Sequence, residues 1–136
     1  ALPIWFLAGS GQDAWEIGRQ RAERDEGSFS YRNAYLIEHD GSPAGALIGY
    51  EIGETPLPIG VDMPAMFRPL QELENLAPGT WYVNVLAVHP PYRGEGLGGQ
   101  LLDLADQIGM HAGKRGMSVI VSDANHGARR LYERCG

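Results

Sequence analysis

The sequence has few cysteines, few basic residues and no long apolar run, and each shortage argues against a class of protein. Cys135 is the single cysteine among 136 residues, so no disulfide can form within the chain, which is typical of a reducing cytoplasm. Basic residues are scarce: 11 Lys and Arg stand against 17 Asp and Glu, a net charge of −6, which argues against a nucleic-acid partner. No apolar run approaches the ~20 residues of a membrane span. We therefore expect a cytoplasmic protein with no nucleic-acid or membrane partner.

What is present is typical of one globular domain. Hydrophobic residues make up 43% and charged residues 21% of the chain, and a chain of this length is too short for two independent cores. We therefore expect a single domain over residues 1–136. The chain begins with an apolar segment, residues 1–8, that is typical of the end of a buried element. An upstream segment is therefore expected to be missing.

Charge is distributed unevenly along the chain. Residues 1–88 hold 5 basic and 12 acidic side chains, a net of −7, whereas residues 89–136 hold 6 and 5, a net of +1. The first part would attract a cationic ligand, and the second part would attract an anionic one. Two differently charged solvent-exposed surfaces are the alternative explanation.

Hydrophobic periodicity and turn signals predict alternating strands and helices. Asp13, with Glu16 in a capping box, is expected to begin the first helix, and Asp40-Gly41 to form a hairpin turn. The irregular connection over 53–80 is typical of a lid or binding loop, or of a simple cover for the sheet. The predicted helices are 14–25, 68–77, 96–113 and one capped by Asn125, and the predicted strands are 31–39, 43–52, 81–88 and 118–122.

A glycine-rich stretch between the strand 81–88 and the next helix carries the strongest chemical signal. Four of the six residues from Gly94 to Gly99 are glycine, which lets a ligand approach the backbone closely. The first N–H groups of a helix lack partners and carry the positive end of its dipole, and Arg93 adds a permanent cation. This combination predicts a phosphate cradle, with a sterically required tight turn as the alternative.

The same glycines also match a dinucleotide-binding pattern. Gly94, Gly96 and Gly99 satisfy G-x-G-x-x-G, and Asp123 follows after a strand at about the distance of a ribose-binding acid. However, the residues from His89 to Arg93, which include two prolines, separate the strand from the first glycine. A nicotinamide dinucleotide enzyme is therefore the weaker interpretation.

Two motifs resemble the GNAT superfamily of acetyl-CoA-dependent N-acetyltransferases. Arg93-x-x-Gly96-x-Gly98, after a strand ending in LAVHP, resembles its acyl-CoA diphosphate loop, and NHGARRLYERCG at 125–136 resembles its motif N-x-x-A-x-x-L-Y-E-x-x-G. The resemblance is specific over residues 81–136. It implies an α+β fold with a mixed, mostly antiparallel central sheet and helices on both faces, an acyl-CoA N-acyltransferase-like three-layer α/β/α arrangement. It also implies that terminal strands are missing at both ends of the chain.

The resemblance further implies where acetyl-CoA would bind. It would lie between the strands 81–88 and 118–122, with the backbone of Leu86 and Val88 pairing with the pantetheine arm like an added strand. The amides from Arg93 to Gly99 would hold the diphosphate. The full set of implied cofactor-binding residues is Leu86, Ala87, Val88, Arg93, Gly94, Glu95, Gly96, Leu97, Gly98, Gly99, Asn125, Ala128 and Tyr132.

The implied reaction is transfer of the acetyl group to a primary amine by direct attack, through a tetrahedral intermediate. The Val88 N–H is the candidate oxyanion donor, and Tyr132 would protonate the leaving thiolate. The alternatives are that Asn125 only caps a helix and that Tyr132 is only a core residue. Direct transfer leaves Cys135 no covalent role, and its helix position predicts packing. A non-catalytic acyl-CoA-binding module is the main alternative function.

The general base and the acceptor are not fixed by the sequence. Tyr82 and Asn84 are expected to share a strand face with Leu86 and Val88, and that face has no carboxylate. The acidic first part favours a cationic small-molecule or peptide amine as acceptor, no metal site is indicated, and a homodimer is left open. The candidates for the base are Glu51, Glu54, His89 and ordered water.

Overall fold

The structure, a computed structural model, describes Gly11 and residues 13–136; the apolar segment 1–8 lies outside this part. It contains a mixed four-stranded sheet in the order β1-β2-β3-β4, flanked by helices, as the predicted α+β class requires. The strands are β1 (Ala34–His39), β2 (Ser42–Glu51), β3 (Trp81–Val88) and β4 (Met117–Val119). The helices are α1 (Ala14–Ala22), α2 (Arg68–Glu74), α3 (Leu97–His111) and α4 (His126–Cys135).

The predicted elements are present with shifted ends. Asp13 caps α1 by accepting the Trp15 N–H at 3.2 Å, but α1 ends three residues earlier than expected. The predicted strand 31–39 begins late because its first three residues form a 3-10 turn capped by Ser30. Asp40 and Gly41 form the hairpin turn with φ of +50° and +75°, as predicted. The strand 81–88 is found with the predicted bounds.

The core lies between the sheet and α3. Its buried side chains include Trp81 and Val83 on β3 and Leu101 on α3. Two glycines of β2 make this packing possible: a Cβ on Gly49 would lie 2.1 Å from the Trp81 ring, and one on Gly45 would lie 2.7 Å from a β3 carbonyl. The glycines that weaken the sequence signal for β2 are therefore required by close packing.

β3 carries one extra residue relative to β2. Gly49 lies opposite Val83 and Ile48 lies opposite Val85, so the register shifts at the residue between them. This bulge reverses the side-chain alternation along the strand. Trp81 and Val83 consequently share the core face with Leu86 and Val88.

The expectation that Tyr82 and Asn84 share a face with Leu86 and Val88 was therefore wrong. A bulge of one residue moves all later side chains to the opposite face, and nothing in the alternation of apolar residues along β3 marks its position.

β4 is shorter than expected, and this shapes the sheet. It pairs in parallel with β3 only from Trp81 to Val83, although a strand was predicted over 118–122. The remainder of β3 keeps β2 as a neighbour but no longer pairs with β4. The two parallel strands are thus paired only along these residues and diverge beyond Val83 and Val119.

Two further observations concern the chain as a whole. Among the helices that the structure describes, none is long and apolar enough to cross a membrane. Cys135 is exposed, so the expectation that it packs against the core was wrong; Leu131 and Tyr132 provide the core contacts of α4.

Candidate functional site

The diverging half of β3 presents an open backbone edge. The His89 N–H donates to the Ala44 carbonyl of β2 at 2.8 Å. Because successive residues of a strand direct their backbone groups to opposite sides, Leu86 and Val88 direct theirs away from β2, toward the gap left by β4. The Val88 carbonyl accepts a hydrogen bond from Arg93 Nε at 2.8 Å. The Val88 N–H and the Leu86 backbone therefore face the gap.

The N-terminus of α3 lies next to this edge and offers unpaired donors. Gly96 is the N-cap, with φ of +82° and no side chain to cap the helix. The first helical hydrogen bond runs from the Gln100 N–H to the Gly96 carbonyl at 3.1 Å. The N–H groups of residues 97–99 precede that bond and have no partner within the helix. The positive end of the helix dipole adds to their attraction for an anion.

These features line one groove of about 660 Å³, called the cofactor groove below. Among the residues that the structure describes, two cationic side chains, Arg93 and Arg134, and no acidic one line it. A volume in this range is typical of small-molecule sites. The lining residues are Leu86, Ala87, Val88, Tyr92, Arg93, Gly94, Gly96, Leu97, Gly98, Gly99, Asn125, Gly127, Ala128, Leu131, Tyr132 and Arg134.

Two of the expected binding residues, Glu95 and Arg93, do not present the predicted groups to the cofactor groove. Glu95 is absent from the lining of the cofactor groove, and its carboxylate lies 3.1 Å from His39 Nε2 at the end of β1. The Arg93 N–H donates to the Pro90 carbonyl at 3.2 Å, so a ligand would meet the Arg93 guanidinium and not its amide. Tyr92 and Arg134 were missed because Tyr92 precedes the loop pattern and Arg134 occupies a variable position of the N-x-x-A motif.

Asn125 and Tyr132 bring α4 to the opposite wall of the cofactor groove. Asn125 Oδ1 accepts the Ala128 N–H at 3.1 Å, so the side chain caps α4 while it also lines the groove. Tyr132 is half-buried, and burial raises the pKa of its phenol above the ordinary value of 10. The hydroxyl therefore keeps its proton throughout the physiological pH range and can act as a donor.

The three side chains expected as general bases do not line the groove. Glu51 pairs with Lys114 Nζ at 2.9 Å, and Glu54 pairs with Arg115 at 3.2 Å. Glu51 lies opposite Trp81, at the far end of β3 from Val88. His89 is exposed in the turn after β3. Glu51 and Glu54 thus face cationic partners, and His89 faces solvent.

A second groove, also of about 660 Å³, adjoins the cofactor groove across β3. Glu74 of α2 lies in it, and its carboxylate accepts a hydrogen bond from the Tyr50 hydroxyl at 2.7 Å. Sequence analysis missed Glu74, although it follows Leu70 by four residues and so shares a helix face with it. The lining residues are Arg21, Gly27, Ser28, Phe29, Asn33, Tyr50, Leu57, Met63, Phe67, Leu70, Gln71, Glu74, Tyr82, Asn84 and Val85.

The dinucleotide interpretation does not fit this arrangement. Asp123 is fully exposed, lies outside the cofactor groove and contacts Arg129 at 3.8 Å. The sheet is mixed, with two antiparallel pairs, whereas a dinucleotide-binding fold needs a mostly parallel one.

Comparisons with known proteins agree with this fold. The sequence profile of the acetyltransferase (GNAT) family matches residues 4–136. A solved structure described as an acetyltransferase is 25% identical, with a TM-score of 0.61, and the match covers 100% of this chain and 75% of that one. No curated protein matches the chain.

Two further solved structures resemble it at lower identity, where likeness shows the fold. A putative streptothricin acetyltransferase from Bacillus anthracis, in complex with acetyl coenzyme A, is 17% identical with a TM-score of 0.55, over 76% of this chain and 45% of that one. AAC(6')-Iy, in complex with the bisubstrate analog CoA-S-monomethyl-acetylneamine, is 15% identical with a TM-score of 0.56, over 90% of this chain and 69% of that one. Together with the family profile, these matches establish that the chain is an acyltransferase belonging to the acetyltransferase (GNAT) family.

Proposed function

We propose that this protein transfers the acetyl group of acetyl-CoA to a primary amine. One observation carries the proposal: the residues at the start of α3, whose N–H groups lack partners within the helix, the residues of the open edge of β3 and Tyr132 all line one groove. Acetyl-CoA as the donor is supported by structural relatives whose descriptions name acetyl coenzyme A or a CoA adduct. The cytoplasmic location remains a prediction, and the sequence leaves a homodimer open.

The residues of the cofactor groove suit a diphosphate and a pantetheine arm. The diphosphate would bind the N–H groups of Leu97, Gly98 and Gly99, with the guanidinium groups of Arg93 and Arg134 nearby. Within the described part of the chain, no acidic side chain lines this groove, which favours a negatively charged ligand. The open edge formed by residues 86–88 would pair with the amides of the pantetheine arm.

The same groove supplies groups that the acetyl transfer requires. Acetyl-CoA provides an acetyl group activated as a thioester. The amine nitrogen would attack the carbonyl carbon directly, giving a tetrahedral species whose oxyanion the Val88 N–H would stabilise. The carbon–sulfur bond would then break, and Tyr132 would give its proton to the departing sulfur. The proton lost by the amine passes to solvent, from which the Tyr132 phenolate is protonated again.

Replacing Tyr132 by phenylalanine tests this proposal. We expect kcat, measured by thiol release with a panel of primary amines, to fall at least about 100-fold, because a general acid contributes on that order. The Kd for CoA, measured by calorimetry, should stay within about twofold, since the phenyl ring preserves the packing. Tyr35→Phe, at an exposed position on β1, is the matched control and should leave both values unchanged.

Two outcomes would contradict the proposal. Unchanged kcat in Tyr132→Phe would exclude the phenol as the proton donor. Tight CoA binding by the wild-type protein without acetylation of any amine in the panel would instead favour a non-catalytic acyl-CoA-binding module.

A further inference from the structure

We infer that Glu74 binds the ammonium group of the acceptor, and that this acceptor is a primary monoamine with an apolar body that occupies the second groove. The inference rests on the proposed function, and it assigns the acceptor end of that reaction to residues outside both cofactor motifs. Tyr50 acts as a positioning residue because it holds the Glu74 carboxylate.

The second groove is placed to deliver an acceptor to the cofactor groove. Val85 lines the second groove and its chain neighbour Leu86 lines the cofactor groove. Tyr82 also lines the second groove, and its pKa is raised to about 12, first by burial and then by the charge of the Glu74 carboxylate. Glu74 and Tyr82 thus share the second groove, on the side of β3 that Val85 lines.

Glu74 is prepared to bind a cation. The Tyr50 hydroxyl donates to Oε1, and a carboxylate has two oxygens with about four acceptor sites, so Oε2 is left for a ligand. Within the part of the chain that the structure describes, Glu74 forms no ion pair with Lys, Arg or His, in contrast to Glu51 and Glu54. A half-buried carboxylate without a cationic partner favours a positively charged ligand.

The remaining walls indicate the shape of that ligand. Phe29, Leu57, Met63 and Phe67 give the second groove an apolar lining, which suits an aryl or alkyl body. Arg21 is the other charged side chain there, with its guanidinium 5.8 Å from the centre of the Phe67 ring. A second ammonium group on the acceptor would meet this guanidinium and be repelled. One amine on an apolar body fits the groove better than a polyamine.

Glu74→Gln tests the inference, with Glu72→Gln on the exposed side of α2 as the matched control. The probes are phenethylamine and spermidine. We expect the Kd of phenethylamine for the CoA-bound protein, and its KM in turnover, to rise at least about tenfold in Glu74→Gln. The kcat at pH 7 should not fall, because loss of the carboxylate lowers the pKa of the bound ammonium, and the Kd for CoA should change little. Glu72→Gln should match the wild type, and Tyr50→Phe should raise KM by a smaller factor.

The outcomes separate the inference from the function on which it rests. Unchanged affinity for phenethylamine in Glu74→Gln would overturn the inference, as would a loss of kcat with an altered pH profile, which would make Glu74 a base. Failure of the wild type to bind phenethylamine, or a preference for spermidine, would overturn the acceptor class. Binding of phenethylamine through Glu74 without turnover would support the ammonium site and contradict the proposed function.

Discussion

The two grooves on either side of β3 are built in different ways. The cofactor groove uses mainly backbone groups and glycines from two contiguous segments, 86–99 and 125–134, and its charged side chains are all cationic. The second groove uses side chains from α1, α2, β2, β3 and the loops between them, with one carboxylate and one guanidinium. A backbone site recognises a group common to all acyl-CoA donors, whereas a side-chain site can change its ligand by substitution. The cofactor should therefore be the fixed part of the reaction and the acceptor the variable part.

The largest predicted difference between the grooves is that pH changes kcat/KM for the amine but not the KM for acetyl-CoA. We expect kcat/KM for the amine to rise about tenfold per pH unit from pH 7 to 9, because an alkyl ammonium of pKa ~10.4 must lose a proton before it attacks. Tyr132 should not limit this rise: burial raises its pKa, so the phenol stays protonated there. The KM for acetyl-CoA should stay nearly constant. Steady-state pH profiles measure both, and a decline in kcat/KM between pH 7 and 9 would contradict the assignment.

A smaller effect, on the affinity for CoA, is expected from a side chain added at the glycine-rich start of α3. Gly96→Val forces a β-branched residue to a φ of +82°, which is strained and should displace the N–H groups that follow. We expect the Kd for CoA to rise at least about tenfold, the worth of one hydrogen bond to a charged group. Gly113→Val is the matched control, since it imposes similar strain at φ +70°, also in open space but after α3.

Both valine variants should lose about 1–2 kcal/mol of unfolding free energy, measured by denaturant titration. Only Gly96→Val should lose affinity for CoA in calorimetry. Equal CoA affinities in the two variants would show that the start of α3 does not hold the diphosphate.

The smallest effect separates two roles of Asn125: the cap of α4 and a proposed hydrogen bond from its amide to the pantetheine arm. Asn125→Asp keeps an oxygen to cap α4 but removes the amide donor, so its unfolding free energy should match the wild type while its CoA affinity falls about fivefold. Asn125→Ala should show the same loss of affinity and a further loss of about 1 kcal/mol in unfolding free energy. Thermal melts and calorimetry measure both. An aspartate variant that binds CoA as tightly as the wild type would leave Asn125 as a cap alone.

The sequence predicted most of the residues that line the cofactor groove and missed Glu74 in the second groove, for a physical reason. Strand β3, the glycine-rich start of α3 and the Asn125 cap are local features, and their residues are neighbours in the chain. Glu74 and Tyr50 meet only because β2 and α2 pack together across 24 residues of sequence separation. The bulge in β3 is equally hidden, since it depends on the register with β2. The expected bases Glu51 and Glu54 were chosen by strand position, and they pair with Lys114 and Arg115 instead.

A crystal structure of the protein with CoA tests the central claim most directly. The account predicts diphosphate oxygens within about 2.7–3.2 Å of the N–H nitrogens of Leu97, Gly98 and Gly99, with the pantetheine arm alongside Leu86 and Val88. Density for CoA in the second groove, or a diphosphate held by side chains away from the start of α3, would contradict it.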